Sequence, residues 1–201
     1  MRRLSLIAAS IALALPVAFA GAQSPAAGTD VTAPSAPEVG AIAPDFTAPW
    51  ADASGARATP VRLADLRGKV VVLAFYPLDR SSGCTAELHK FRDEYTKIFG
   101  PGAGEDVVVL PISVDSLESH ASWAKDDGFP FALVSDRDQT VAKLYGSTMP
   151  GRPYDSRTVF VIDKEGKITY RNLKFGALVE KAYADLATEV AKAKGATGAG
   201  L

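Results

Sequence analysis

The chain has 201 residues, 47% of them hydrophobic and 22% charged, with 22 basic against 23 acidic side chains and a net charge of −1. So even a balance excludes the polybasic surface that would bind nucleic acid or anionic lipid. The single cysteine, Cys84, excludes an internal disulfide.

Taken in chain order, the sequence opens on a targeting signal. Arg2 and Arg3 precede an uncharged apolar stretch from Leu4 to Phe19, and both Ala18-Phe19-Ala20 and Ala20-Gly21-Ala22 carry the small-x-small pattern of a cleavage site. Residues 1–22 are expected to be a signal peptide, cut after Ala20 or Ala22, of an exported, periplasmic protein with no stable membrane association after cleavage. The alternative is an uncleaved anchor, because the stretch approaches the ~18–20 apolar residues a span needs. Pro16 and the lack of a charged stop-transfer cluster argue against it. Removing Arg2 and Arg3 leaves 20 basic against 23 acidic residues. Residues 23–37, with Pro25, Pro34 and Pro37, predict a flexible linker. Residues 38–195 then form one domain of ordinary size, and 196–201 a frayed tail.

Within the domain, Ala43-Pro44-Asp45-Phe46-Thr47 predicts an extended segment, and Val61 to Lys69 a short strand, a helical turn and a glycine stop. Val70 to Tyr76 is a seven-residue apolar run, the pattern of a strand covered on both faces. Leu88, Phe91, Tyr95 and Ile98 recur at helical spacing and predict an amphipathic helix over Cys84–Ile98. Val107 to Ser113 is a second buried strand, in which Pro111 counts against full bonding on both sides. Ser116 is placed to cap a helix reaching about Asp127, with Glu118 complementing its dipole. A short strand over Phe131–Val134 and a short helix over Thr140–Tyr145 follow. Thr158–Ile162 and Ile168–Leu173 flank an Asp163-to-Lys167 turn as a hairpin, and Val179 to about Lys194 closes the chain as a helix. This order of elements describes an α/β thioredoxin-like fold, a central mixed sheet flanked by helices, with an N-terminal extension.

A secreted chain ordinarily uses cysteines in pairs. A lone one is a reactive thiol, an intermolecular partner or a buried small hydrophobe. The loop Pro77-Leu78-Asp79-Arg80-Ser81-Ser82-Gly83-Cys84 joins the first long strand to the amphipathic helix, so Cys84 falls in a helix's first turn. Unpaired N–H groups there favour an anion, and this setting lowers a thiol pKa from ~8.5 into the ~3.5–7.5 range. The location therefore favours reactivity over burial. Ser81 stands where a dithiol oxidoreductase would carry its first cysteine. Its hydroxyl can hydrogen-bond a thiolate or an oxygen under attack, and Gly83 lets a small ligand approach the backbone.

Val70 to Pro77 followed by Ser81-x-x-Cys84-x-x-Glu87 resembles the peroxiredoxin motif Pro-x-x-x-Thr/Ser-x-x-Cys-x-x-Glu, and the subgroup looks like the bacterioferritin comigratory protein type. Ala43-Pro44-Asp45-Phe46, Ile112-Ser113-Val114-Asp115-Ser116 through His120, and Ser156 to Gly166 match it as well. The resemblance implies a thiol peroxidase in which Cys84 attacks the peroxide, Ser81 hydrogen-bonds it and Pro77 shields the site from water. Arg157 would sit beside the thiolate and Glu87 would orient that arginine. It implies a peroxide substrate and an external thiol reductant, a thioredoxin-like protein or a small thiol. Metal, flavin and nucleotide are not required, and a monomer or weak homodimer is expected. Competing readings are thiol–disulfide exchange at Cys84 and a non-catalytic binding or sensor module.

The sequence departs from that pattern in three places. His89 occupies the position of a resolving cysteine five residues after Cys84, Ser82 replaces a proline, and Arg80 puts a bulky charge in the loop. At that spacing His89 shares no helix face with Cys84 and is expected to be a partly exposed surface group. His120 is expected to make packing or capping contacts, and Trp123 and the tyrosines to be core and surface-packing residues.

Overall fold

The computed structural model describes residues 35–195. The expected signal peptide, residues 23–34 of the linker and the 196–201 tail lie outside the described residues. In chain order the elements are β1 (Thr47–Ala48), β2 (Trp50–Asp52), β3 (Gly55–Ala56), β4 (Val61–Arg62), a 3-10 turn (Leu63–Leu66), β5 (Val70–Phe75), α1 (Ser82–Asp93), α2 (Tyr95–Phe99) and β6 (Val107–Ser113). They continue as α3 (Leu117–Asp127), β7 (Leu133–Ser135), α4 (Thr140–Leu144), β8 (Thr158–Ile162), β9 (Ile168–Asn172) and α5 (Glu180–Gly195).

The main sheet is mixed, in the order β3-β2-β7-β6-β5-β8-β9. β5 runs parallel to β6 and antiparallel to β8. Its alternate side chains serve two cores, as period-two geometry requires. Val70, Val72, Ala74 and Tyr76 pack with Leu88, Phe91, Trp123 and Leu186. Val71, Leu73 and Phe75 pack with Phe46, Val141, Tyr145 and Phe160. Both faces are covered, which is why the run is continuously apolar rather than alternating. Pro111 sits in β6, which pairs with β5 from Val107 to Ile112, while pairing with β7 begins only at Ile112. The missing N–H therefore falls before the second ladder starts.

Several boundaries differ from expectation. The helix expected over Cys84–Ile98 breaks at Glu94 (φ −112°, ψ 28°) into α1 and α2. The break turns Ile98 and Phe99 into the core, where Phe99 meets Phe91 edge-on at 5.3 Å. The short strand lies at Leu133–Ser135 rather than Phe131–Val134, because it is held by β6 and by β2, a strand the sequence did not announce. Trp50-Ala51-Asp52 is too short to show a period. Ala36 and Pro37, assigned to the flexible linker, instead accept hydrogen bonds from Arg171 Nη1 at 3.0 and 3.2 Å, so the linker's last residues are docked on β9. The expected cap of α3 is present: Ser116 accepts from the Ser119 N–H at 3.2 Å, and Gly128 ends the helix at φ +63°.

Asp155 lies in the segment leading into β8 and is fully buried. Its Oδ1 accepts from Gln139 Nε2 at 2.9 Å, while Oδ2 has no partner among the described residues. Burial, opposed by that hydrogen bond and reinforced by the charges of Asp136 and Asp115, pushes the carboxyl up to about 7. A raised folded-state pKa means stability is fully present below the ordinary value of 3.8 and lost as pH rises through about 7. Asp155→Asn is therefore expected to be near neutral at pH 4 and to stabilise at pH 8 by on the order of 2–4 kcal/mol. Denaturant unfolding at the two pH values checks this.

Candidate active site

Three stretches far apart in sequence meet at the carboxyl end of β5. Tyr76 and Pro77 leave that strand into the loop, and α1 begins at Ser82. The first bond of the helix runs from the Thr85 N–H to the Ser81 carbonyl at 2.8 Å, so the N–H groups of Ser82, Gly83 and Cys84 precede the ladder. Antiparallel pairing of Phe75 with Thr158 sets Arg157, at the threshold of β8, beside this helix start. The Phe175 N–H donates to the Arg157 carbonyl at 3.0 Å and holds that backbone in place.

Arg157 Nη2 donates to Cys84 Sγ at 3.2 Å, across 73 residues of sequence. Its Nη1 donates to Glu87 Oε2, and Glu87 is wholly buried, with Oε1 unpartnered among the described residues. Burial pushes the Glu87 carboxyl up to about 7, against the charge and hydrogen bond of Arg157. Burial acts to lower the Arg157 guanidinium, but the charges of Glu87 and Cys84 more than offset it and hold the group above its ordinary value. A thiolate at Cys84 thus faces a permanent cation and the positive end of α1.

The sequence-based expectations meet this geometry unevenly. Cys84, Arg157 and Glu87 come together. Glu87 faces the core, where it accepts from Arg157. Cys84 is only 1% exposed and belongs to the core beside Leu88 and Phe91, because α1 turns residues 84, 87, 88 and 91 inward. Burial and a helix-start position, set against each other in the sequence, therefore coincide. The Ser81 hydroxyl donates to the Leu78 carbonyl at 3.1 Å. Pro77 is half-buried at the start of the same loop. His89 binds Asp127 Oδ2 at 2.8 Å and turns away from Cys84, as its spacing demanded. Trp123 lies in the core. Arg80 adopts a left-handed φ of +58° and straps the loop to α3 through Ser122 and Asp126, at 3.1 and 2.6 Å.

Sequence reasoning missed the polar cluster beneath the loop. Asp79 accepts from Tyr76, Ser119 and His120, and its own N–H donates to Asp115 Oδ2 at 2.8 Å. His120 is fully buried here, beyond the packing or capping contact expected of it. An aspartate in a polar loop signals nothing by itself, and its partners lie up to 41 residues away.

Gly83 has a specific geometric role. A Cβ at this position would stand 3.3 Å from Arg157 Nη2, the nitrogen that donates to Sγ. Gly83→Ala is expected to slow peroxide reduction about tenfold by displacing that group, while changing stability by less than about 1 kcal/mol because alanine favours the helix. Comparing the peroxide rate with the thermal midpoint separates the two effects.

Comparison with known proteins agrees with this geometry. Residues 39–171 match the model of the AhpC/TSA family. The chain is 41% identical over 138 residues to a putative peroxiredoxin bcp of Coxiella burnetii, covering 66% of this chain and 85% of that one. It is 40% identical over 121 residues to the chloroplastic peroxiredoxin Q of Sedum lineare, covering 56% of this chain and 60% of the relative. Among solved structures, the peroxidoxin BcpB of Mycobacterium tuberculosis superposes with a TM-score of 0.62 at 30% identity, over 80% of this chain and 99% of that one. Motif, fold and the meeting of Cys84 with Arg157 lead to one assignment: the chain belongs to the AhpC/TSA family and is a peroxiredoxin-type thiol peroxidase.

Proposed function

We propose that Cys84 reduces hydrogen peroxide or a small organic hydroperoxide and is recycled by an external thiol. The observation that carries this reading is Arg157 Nη2, 3.2 Å from Sγ, with Glu87 braced behind it. The thiolate attacks one peroxide oxygen, the O–O bond breaks, and the leaving oxygen departs as water or an alcohol after taking a proton. Cys84 is left as sulfenic acid. Arg157 neutralises charge on both the sulfur and the departing oxygen. Ser81 exchanges its bond to Leu78 for one to the peroxide, and Pro77 limits entry of water. One external thiol then displaces water to give a mixed disulfide, and a second attacks that thiol's sulfur, releasing the Cys84 thiol and leaving the two external thiols joined as a disulfide. Two external thiols are required because the chain has no second cysteine. The reductant is a thioredoxin-like protein or a small thiol, and the enzyme acts as a monomer or weak homodimer.

We place this activity in the periplasm after export. The support is the Arg2-Arg3 start, the apolar stretch to Phe19 and the alanine sites after it. Fractionation and N-terminal sequencing of the mature protein test that placement; a retained Met1 in the cytoplasm overturns it. The chemistry is tested by stopped-flow peroxide reduction with a panel of thiols and by trapping sulfenic acid on Cys84 with a cyclic diketone. Rapid reaction with protein disulfides but none with peroxide would reassign the site to thiol–disulfide exchange.

A further inference from the structure

The cluster under the Cys84 loop carries more than packing. Asp79 stands five residues before Cys84, and His120 lies in α3. Their side chains are 3% and 0% exposed. The Tyr76 hydroxyl donates to Asp79 Oδ1 at 2.7 Å, and the Ser119 hydroxyl to Oδ2 at 2.7 Å. His120 Nδ1 lies 3.0 Å from that same Oδ2, and its Nε2 lies 3.2 Å from the Val134 carbonyl oxygen. A carbonyl oxygen only accepts, so Nε2 carries a proton. An ionised carboxylate only accepts, so Nδ1 carries one too. A ring protonated at both nitrogens is an imidazolium.

The surroundings favour the ionised carboxylate over an acid donating to a neutral ring. The Tyr76 hydroxyl donates to one Asp79 oxygen and the Ser119 hydroxyl to the other, an arrangement an ionised carboxylate accepts with lone pairs to spare for the ring. The other titratable groups facing the pair are Tyr76, from the end of β5, and Asp115, from the end of β6. Asp115 is engaged by the Asp79 N–H and by the Ser113 hydroxyl, both at 2.8 Å. Three elements, β5, β6 and α3, thus converge on a loop residue whose backbone leads, two residues on, to Ser81.

We propose that Asp79 and His120 are positioning residues, a buried carboxylate–imidazolium pair that locks the Pro77–Ser81 loop onto α3 and β7 so that peroxide meets Cys84 in a fixed geometry. The proposal rests on the peroxidase reading, but its tests are ratios to the wild type and a spectrum taken without peroxide. Failure of the peroxidase reading would instead appear as an inactive wild type.

The spectrum is a long-range proton–nitrogen correlation of the His120 ring at neutral pH, where a free histidine is largely neutral. Both ring nitrogens are expected to be protonated in the wild type, and not both in Asp79→Asn. Asp79→Asn is further expected to slow Cys84 oxidation by peroxide by about 10- to 100-fold, as ångström-scale misplacement does. Alkylation of Cys84 by iodoacetamide, which needs no shaped peroxide site, should hold steady or rise. Where Asp79→Asn does not fold, Ser119→Ala removes one of the three donors and is expected to show the same split in smaller measure. A wild-type ring bearing one proton overturns the pair. A variant that oxidises at the wild-type rate, or whose oxidation and alkylation fall in parallel, overturns the positioning role.

Discussion

Cys84→Ser is expected to abolish peroxide turnover with every thiol donor while leaving the fold in place. Sulfur is the atom that takes up oxygen in this chemistry, and a serine hydroxyl neither ionises near neutral pH nor forms a sulfenic acid. No other thiol exists in the chain to substitute for it. The structural cost should be small. Serine is slightly smaller than cysteine, and its oxygen can accept from Arg157 Nη2, which already donates to Sγ. Burying a hydroxyl with a hydrogen-bond partner at this almost fully covered site costs about 1 kcal/mol. Stopped-flow assay and thermal unfolding of the same sample decide the matter. Residual turnover above a few per cent would show that the peroxide is reduced elsewhere than at Cys84.

How far this site could be read beforehand depended on the distance over which its parts communicate. The β5 strand was legible because seven apolar residues in a row have few other solutions, and the start of α1 because Leu88 and Phe91 repeat at helical spacing. Cys84 at a helix start followed from these two local facts. Arg157 had no local signal; a guanidinium before a strand is ordinary. It was identified by resemblance alone, and only the antiparallel register of β8 on β5 explains why it arrives at the sulfur. A helix-start position favours reactivity over burial, but here the first turn faces the core, so Cys84 is buried and placed at the helix start at once. Neither the orientation of Ser81 toward Leu78 nor the convergence on Asp79 was legible. Both are set by rotamers and loop closure, which leave no period in a sequence.

Arg157→Ala is expected to slow peroxide reduction by about 10²–10³, the loss typical of removing one donor from a developing negative charge. It is not structurally silent, because the guanidinium also neutralises Glu87, whose side chain has no exposure. Breaking a buried pair by removing one partner costs about 3–5 kcal/mol when the remaining charge is trapped. Here the carboxyl has an escape, for burial already pushes it up to about 7 and loss of the cation pushes it further. The variant's stability should therefore be fully present below the ordinary value of 4.5 and fall as pH rises through and beyond 7. Its unfolding midpoint should sit close to wild type at pH 5 and well below it at pH 8. Adding Glu87→Gln removes the group that titrates, so the double variant should lose the pH dependence and recover stability at pH 8. The peroxide rate should stay low, since nothing has returned the positive charge to Sγ. A double variant that regains the rate would show that Arg157 acts by holding the fold, and a single variant with a near-normal rate would remove the guanidinium from the mechanism.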